Sequence, residues 1–319
     1  MNIQMTERPI ASLKSLFQTK FFNLFLILVF CSIQSLSCVF VKLSERELSP
    51  VATIFDRFVI ATIIFGVGIG MEVANRKKND EDSTQSSLYS LKVIVLLIVA
   101  GLSAAANQVF WALSLTQTNI GNSSLMHGLT PLFSILLTWL FFQYRYDRQF
   151  IVGTVIAIIA SAAIGFGDFQ VAATKLQGDG LGLLAAMFFA VYLVLVEQLR
   201  ACLNTVNILF WRCILGILLL LPIILSSGDR LLPDSQGGWL AIIGVVLVFP
   251  LAHALLAYSL KTISSSLVAV VLLAEPFLSS LQAWLILSEN LSILEGILFT
   301  ITIFGVYLSI SSPSAKMSE

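Results

Sequence analysis

The chain has 319 residues, of which 57% are apolar and only 11% charged, and its 18 Lys and Arg balance its 18 Asp and Glu. An ordinary soluble domain carries about 25% charged residues, so this composition excludes disorder, a disulfide scaffold and a conventional soluble enzyme. Zero net charge excludes nucleic-acid binding through bulk charge.

What remains is a multi-spanning membrane protein. A helix needs about 20 mostly apolar residues to cross a bilayer. Runs of that kind are predicted over 21–41, 51–72, 92–113, 119–142, 149–168, 180–199, 205–226, 238–260, 263–288 and 293–312. The strands of a membrane β-barrel would alternate over about ten residues, and these runs do not. The connections are short and polar. The longest, Asn75 to Ser90, holds Arg76, Lys77, Lys78, Asp80, Glu81 and Asp82 and reads as a solvated loop. Cys31, Cys38, Cys202 and Cys213 lie in or near apolar runs without metal-ligand spacing, and read as small apolar fillers.

Lys and Arg residues outside the spans fix an orientation. Arg8, Lys14, Lys20, Arg76, Lys77, Lys78, Lys92, Arg145, Arg148, Arg200, Lys261 and Lys316 fall on the side of the two termini. Lys42, Arg46, Lys175 and Arg230 fall on the other. Positive charge favours the cytoplasmic side, so both termini are expected in the cytoplasm.

The two halves resemble each other. At an offset of 145, Pro131 falls on Pro276, Trp139 on Trp284, Ser114 on Ser259 and Gln108 on His253. At an offset of 155, Phe55 falls on Phe210 and Arg57 on Arg212. Each half holds five predicted spans. Because five is odd, the second half enters the membrane from the opposite side. Such inverted repeats can rock about a site between them and open it alternately to either side.

Longer stretches resemble a known family. Leu129 to Phe142, with Pro131 and Trp139, is similar to the fourth span of EamA-type transporters of the drug/metabolite transporter superfamily. Ala274 to Glu289 is similar to the ninth span, Leu48 to Ala61 to the second, and Gly180 to Tyr192 to the sixth. The resemblance implies an all-α integral membrane fold of ten helices, arranged as two inverted five-helix repeats around a central cavity. It implies export or exchange of small metabolites, amino acids or drugs without ATP. The chain departs from the family where an acidic residue at the end of span 4 is replaced by Tyr144. The expected organisation is a cytoplasmic segment 1–20, a first repeat 21–168, a linker 169–179, a second repeat 180–312 and a tail 313–319.

Ionisable groups inside a bilayer are costly and face a partner or an aqueous cavity. Arg57 lies about two turns into span 2, and Arg212 is its repeat mate; both are candidates to hold an anion. Glu275 precedes Pro276, which frees a backbone carbonyl, and is a candidate proton or polar contact. Asn107, Gln108 and Trp111 in span 3, His253 and Tyr258 in span 8, His127 in span 4 and Gln34 in span 1 complete the candidate pocket lining. Gly66, Gly68, Gly70 and Gly101 are expected to let helices approach closely.

No phosphate loop, HExxH, GxSxG or TVGYG-like filter is present, so no cofactor, metal or catalytic residue is expected. The expected function is secondary-active transport of a small amphipathic metabolite across the cell membrane. Export is the expected direction and protons the expected coupling ion. The alternatives are a passive pore, an unrecognised membrane enzyme or a non-transporting membrane partner.

Overall fold

The computed structural model describes residues 22–35, 40, 44, 47–78, 90–118, 123, 126–165, 176–275, 278, 281–282, 285 and 293–314. Among these residues the chain is helical. Helix α1 is Phe22–Ser35. It is followed by α2 (Pro50–Lys78), α3 (Leu91–Gln117), α4 (Thr130–Phe142) and α5 (Arg148–Gly165). The second half runs through α6 (Leu176–Leu199), α7 (Thr205–Ser227), α8 (Gln236–Ser259), α9 (Ser265–Val271) and α10 (Ile293–Ile310). Five of them, α2, α3, α6, α7 and α8, are long and apolar enough to cross a membrane.

Local chemistry sets several ends. The side chains of Ser90, Asn204, Ser235 and Ser264 each accept a hydrogen bond from the backbone N–H three residues on, opening α3, α7, α8 and α9. Gly228 closes α7 at φ 67°, a left-handed conformation that suits glycine. Gln143 takes the same conformation at the end of α4, with φ 56°. Helix α4 begins later than the apolar run suggests. A turn at Gly128 and Leu129 precedes it, and Pro131 sits in its first turn, where its missing N–H costs nothing. After α9 the chain tightens into a 3₁₀ turn, Leu272–Ala274, just ahead of Pro276 in the sequence.

Helix packing crosses between the halves. Helix α3 packs most closely on α6 and also on α7, α2 on α7 and α8, α4 on α6 and α9, and α5 on α10. The closest approaches use glycines. At Gly153 an added Cβ would lie 2.6 Å from the Gly305 carbonyl oxygen, and at Gly305 it would lie 2.7 Å from the Gly153 carbonyl oxygen, so α5 and α10 touch backbone to backbone. Gly216 leaves room for the Phe58 ring, which a Cβ would meet at 2.5 Å. Gly101 packs equally tightly on Leu215 and Gly66 closely on the Phe210 ring at 3.3 Å, whereas Gly68 makes an ordinary contact and Gly70 faces open space.

Contacts among helix ends gather in two groups. In one, Asn23 Nδ2 donates to Thr262 Oγ1 (2.7 Å), Asn204 Nδ2 to Glu72 Oε2 (2.9 Å), and Ser312 and Ser314 hydroxyls to Asp147 Oδ1 (2.5 and 2.7 Å). In the other, Ser49 Oγ donates to Asp229 (2.6 Å), Thr118 Oγ1 to Asp179 (2.8 Å), and the backbone N–H groups of Asp234 and Ser235 to Glu47 Oε2 (2.9 and 3.1 Å).

Candidate functional site

The interior joins two buried arginines through one aromatic ring. Arg57 on α2 is 3% exposed and Arg212 on α7 is 2% exposed. Their guanidinium carbons lie 6.0 and 5.2 Å from the centre of the Phe249 ring on α8. Arg212 is also 4.6 Å from the ring of Tyr192 on α6 and 6.0 Å from that of Phe58 on α2. Its Nη1 donates to the Tyr192 hydroxyl at 3.1 Å. The close fit of Gly216 to Phe58 brings α2 and α7 together at this level, one turn from Arg212. Rings stabilise a desolvated guanidinium through their electron-rich faces.

His253 lies one turn beyond Phe249 on α8. Its ring centre is 4.2 Å from that of Phe249 and 5.9 Å, edge-on, from that of Phe30 on α1. Its Nδ1 donates to the Phe249 carbonyl at 3.1 Å, since a carbonyl oxygen can only accept. The other ring nitrogen is therefore set apart from the helix backbone. His253 is fully within the bundle and within electrostatic reach of both arginines.

A second arm runs from Tyr192 toward α3. Tyr192 stacks near Phe189 (6.2 Å), and Phe189 stacks on His127 (5.3 Å). His127 Nε2 lies 3.1 Å from Asn107 Oδ1. Asn107, His127, Phe189, Tyr192, Arg212, Phe249, His253 and Arg57 thus form one continuous path of contacts. It draws on α2 and α3 from the first half and on α6, α7 and α8 from the second.

The remaining candidates lie off this path. Gln108 is buried on α3, one residue from Asn107, while Trp111 is only partly buried. Glu275 follows the 3₁₀ turn, whose Leu273 carbonyl accepts from Ser161 Oγ (3.2 Å), and lies within electrostatic reach of Cys31 on α1. Gln34 is one turn from Cys31, and Gln282 Nε2 donates to the Ser32 carbonyl (2.8 Å), so α1 packs beside the segment that carries Glu275. Tyr258 is not brought to the pocket: it is 50% exposed. Five helical residues rotate the chain by about 140° relative to His253, which turns Tyr258 to the outside. Glu289 lies outside the described residues. The aromatics Phe58, Phe189, Tyr192 and Phe249 were not singled out from the sequence. Rings in apolar runs are indistinguishable there from lipid-facing ones. Only the spacing of Tyr192 and Phe189 along α6, facing the arginine-bearing half, could have flagged them.

Near one end of the bundle lies a second polar cluster. Glu197, 5% exposed at the end of α6, accepts from the Ser265 backbone N–H at 2.7 Å and so caps α9. Tyr146 hydroxyl lies 2.7 Å from both Thr138 Oγ1 and Ser266 Oγ. Tyr144 lies beside Glu197. Burial and that carboxylate push its hydroxyl pKa up, so it stays protonated and able to donate.

Comparison with known proteins adds to this geometry. The sequence profile of the EamA-like transporter family matches residues 21–166 and again residues 176–311. An uncharacterized transporter of Archaeoglobus fulgidus is 25% identical over 276 residues, covering 84% of this chain and 91% of that protein. The pseudopaline exporter CntI of Pseudomonas aeruginosa is 24% identical over 211 residues, covering 65% of this chain and 73% of its own. A solved structure described only as a crystal structure of a protein superposes with a TM-score of 0.74 at 16% identity, covering 92% of this chain and 96% of the other.

Proposed function

The chain belongs to the EamA-like transporter family, and from that premise we propose that it is a secondary transporter moving a small amphipathic metabolite across the cytoplasmic membrane by alternating access. The observation that carries this reading is the buried path from Asn107 to Arg57, built by both halves and combining aromatic walls with cationic and hydrogen-bonding groups. A pocket of that make-up binds small solutes that are partly apolar. Such a protein changes a solute's location and leaves its bonds intact.

The ten-helix inverted repeat is part of the proposal, and several observations support it. The family profile matches twice. Helices α5 and α10, equivalent in the two halves, meet through Gly153 and Gly305, each packed on the other's backbone. Ser114 Oγ donates to the Gly178 carbonyl (2.8 Å) and Ser259 Oγ to the Asn23 carbonyl (3.4 Å). Those two bonds are equivalent, since Ser114 aligns with Ser259 at the offset of 145 and Asn23 with Gly178 at 155. The two groups of end contacts are those that ten alternating passages would produce. With the Lys and Arg bias, they support both termini in the cytoplasm.

Substrate would sit among Arg57, Arg212, His127, Asn107 and His253, with Gln108, Trp111 and Gln34 bordering it. Glu275, beside the break in the ninth span, would carry the coupling proton. Export is the proposed direction, in keeping with the name of the pseudopaline exporter among its relatives.

The test is reconstitution in liposomes preloaded with pooled metabolites, comparing efflux with and without an inward proton gradient. Saturable, gradient-dependent efflux with counterflow is expected. Unsaturable flux without counterflow indicates a pore, a chemically altered compound an enzyme, and no flux a non-transporting protein. Unchanged proton dependence in Glu275→Gln would remove that residue from coupling.

A further inference from the structure

Arg212 is the unusual member of the buried path. Among the described residues it has one hydrogen bond, to the Tyr192 hydroxyl, and three aromatic rings within 6.0 Å. Among the described residues no carboxylate pairs with it, and its Nε is buried without an acceptor. Nε and Nη2 share one edge of the guanidinium, the edge that a carboxylate engages with two parallel hydrogen bonds. Tyr192 occupies Nη1 and leaves that edge open.

Arg200, also buried, likewise has its Nε without an acceptor, but its surroundings differ. It sits at a helix end, and its Nη1 donates to the Leu203 carbonyl at 2.6 Å. Arg212 instead lies two turns inside α7, where no helix-end carbonyls are at hand. A buried guanidinium is tolerated only when charge and hydrogen bonds are compensated. Rings compensate the charge in part, but they accept no hydrogen bond along the guanidinium edge. A planar oxyanion would complete that edge.

We propose that the transported solute is a small amphipathic carboxylate and that Arg212 is the residue that receives its anionic group. Phe58, Tyr192 and Phe249 surround the cation and offer apolar contact to the body of the solute next to the carboxylate. Arg57, across Phe249, and His253 add positive or donor character to the same region. Between transport events the rings and the Tyr192 hydroxyl hold the guanidinium in place. Arg212 is only 2% exposed, so the anion reaches it when the halves part. The inference rests on the transport reading, which it narrows from any amphipathic metabolite to one bearing an acid.

The experiment uses the full-length protein in liposomes loaded with a pooled metabolite extract, and mass spectrometry identifies what leaves. The expected compounds carry a carboxylate at neutral pH. For the compound lost fastest, the acid should leave at least about tenfold faster than its primary amide, the loss expected when a charged hydrogen-bond pair is removed. In Arg212→Gln that preference should collapse. Arg212→Lys, which keeps the charge without the fork, should fall between. Selective efflux of neutral or cationic compounds only, or an unchanged acid preference in Arg212→Gln, overturns the assignment and leaves transport standing. Absence of selective efflux in the unaltered protein overturns the transport reading and this one with it. If Arg212→Gln does not fold, as judged by size-exclusion chromatography, the class of compound released by the unaltered protein decides the matter.

Discussion

The two ends of the bundle use the same device in opposite surroundings. At one end Glu47 accepts hydrogen bonds from the Asp234 and Ser235 backbone and from the Ser235 hydroxyl, at the N-terminus of α8. At the other, Glu197 accepts from the Ser265 backbone at the N-terminus of α9. A carboxylate at a helix N-terminus is favoured in both places. The Glu47 contacts are exposed, and the nearby Arg230–Asp234 ion pair is more than 70% exposed on both sides. The Glu197 contact is buried among Tyr146, Thr138 and Ser266. Water competes for each bond at the first end and is excluded at the second. The first end is therefore cheaper to open than the second.

The largest effect is expected from Glu197→Ala. It leaves the Ser265 N–H buried without an acceptor, and unfolding in detergent micelles should show a loss of about 2–3 kcal/mol. Tyr146→Phe removes a hydroxyl that joins Thr138 to Ser266, and should cost about 1 kcal/mol by the same measurement. Glu47→Gln should shift the unfolding midpoint less than either. A Glu47→Gln protein that is destabilised more than Glu197→Ala would reverse the comparison.

The smallest effects concern pH and salt. Hydrogen bonds from Ser235 hold the Glu47 carboxyl below its usual range, and those from Ser312 and Ser314 do the same for Asp147. Groups with depressed pKa values contribute stability that is full above the ordinary carboxylate value of about 4. That contribution disappears as pH falls through the lowered value. The melting temperature should thus decline below about pH 4, and the Glu47→Gln protein should decline less. Raising salt toward 1 M should weaken the exposed end selectively, because exposed charges are screened at that ionic strength.

The helical, membrane-spanning character was legible in the sequence because a bilayer demands long apolar runs: five of those runs are helices long and apolar enough to cross a membrane, and the others hold shorter apolar helices among the described residues. Rare residues such as Pro131 and Pro276 suggested two related halves, and the family profile matches each half once. The paired arginines were legible because charge inside an apolar run is conspicuous. The ring set around Arg212 was not: Phe58, Tyr192 and Phe249 differ from lipid-facing aromatics only in direction, which depends on the packing of α2, α6, α7 and α8. Tyr258 failed for the same reason, since proximity to His253 along the chain did not place it on the same face. The network closing the α9 end was hidden too, because Glu197 resembles an ordinary interfacial residue until α9 is folded against it.

The proposed transport cycle requires the two ends to open in turn. Spin labels on a cysteine-free full-length protein in lipid nanodiscs measure it directly. One pair, at Gln117 and Leu232, spans the Glu47 end, and another, at Arg145 and Ala201, spans the Glu197 end. Two distance populations are expected for Gln117–Leu232, with Arg145–Ala201 short whenever the first pair is long. Glu197→Ala should enlarge the long population of the second pair at the expense of the first. Both pairs lengthening together, or neither having a second population in any condition, would contradict alternating access.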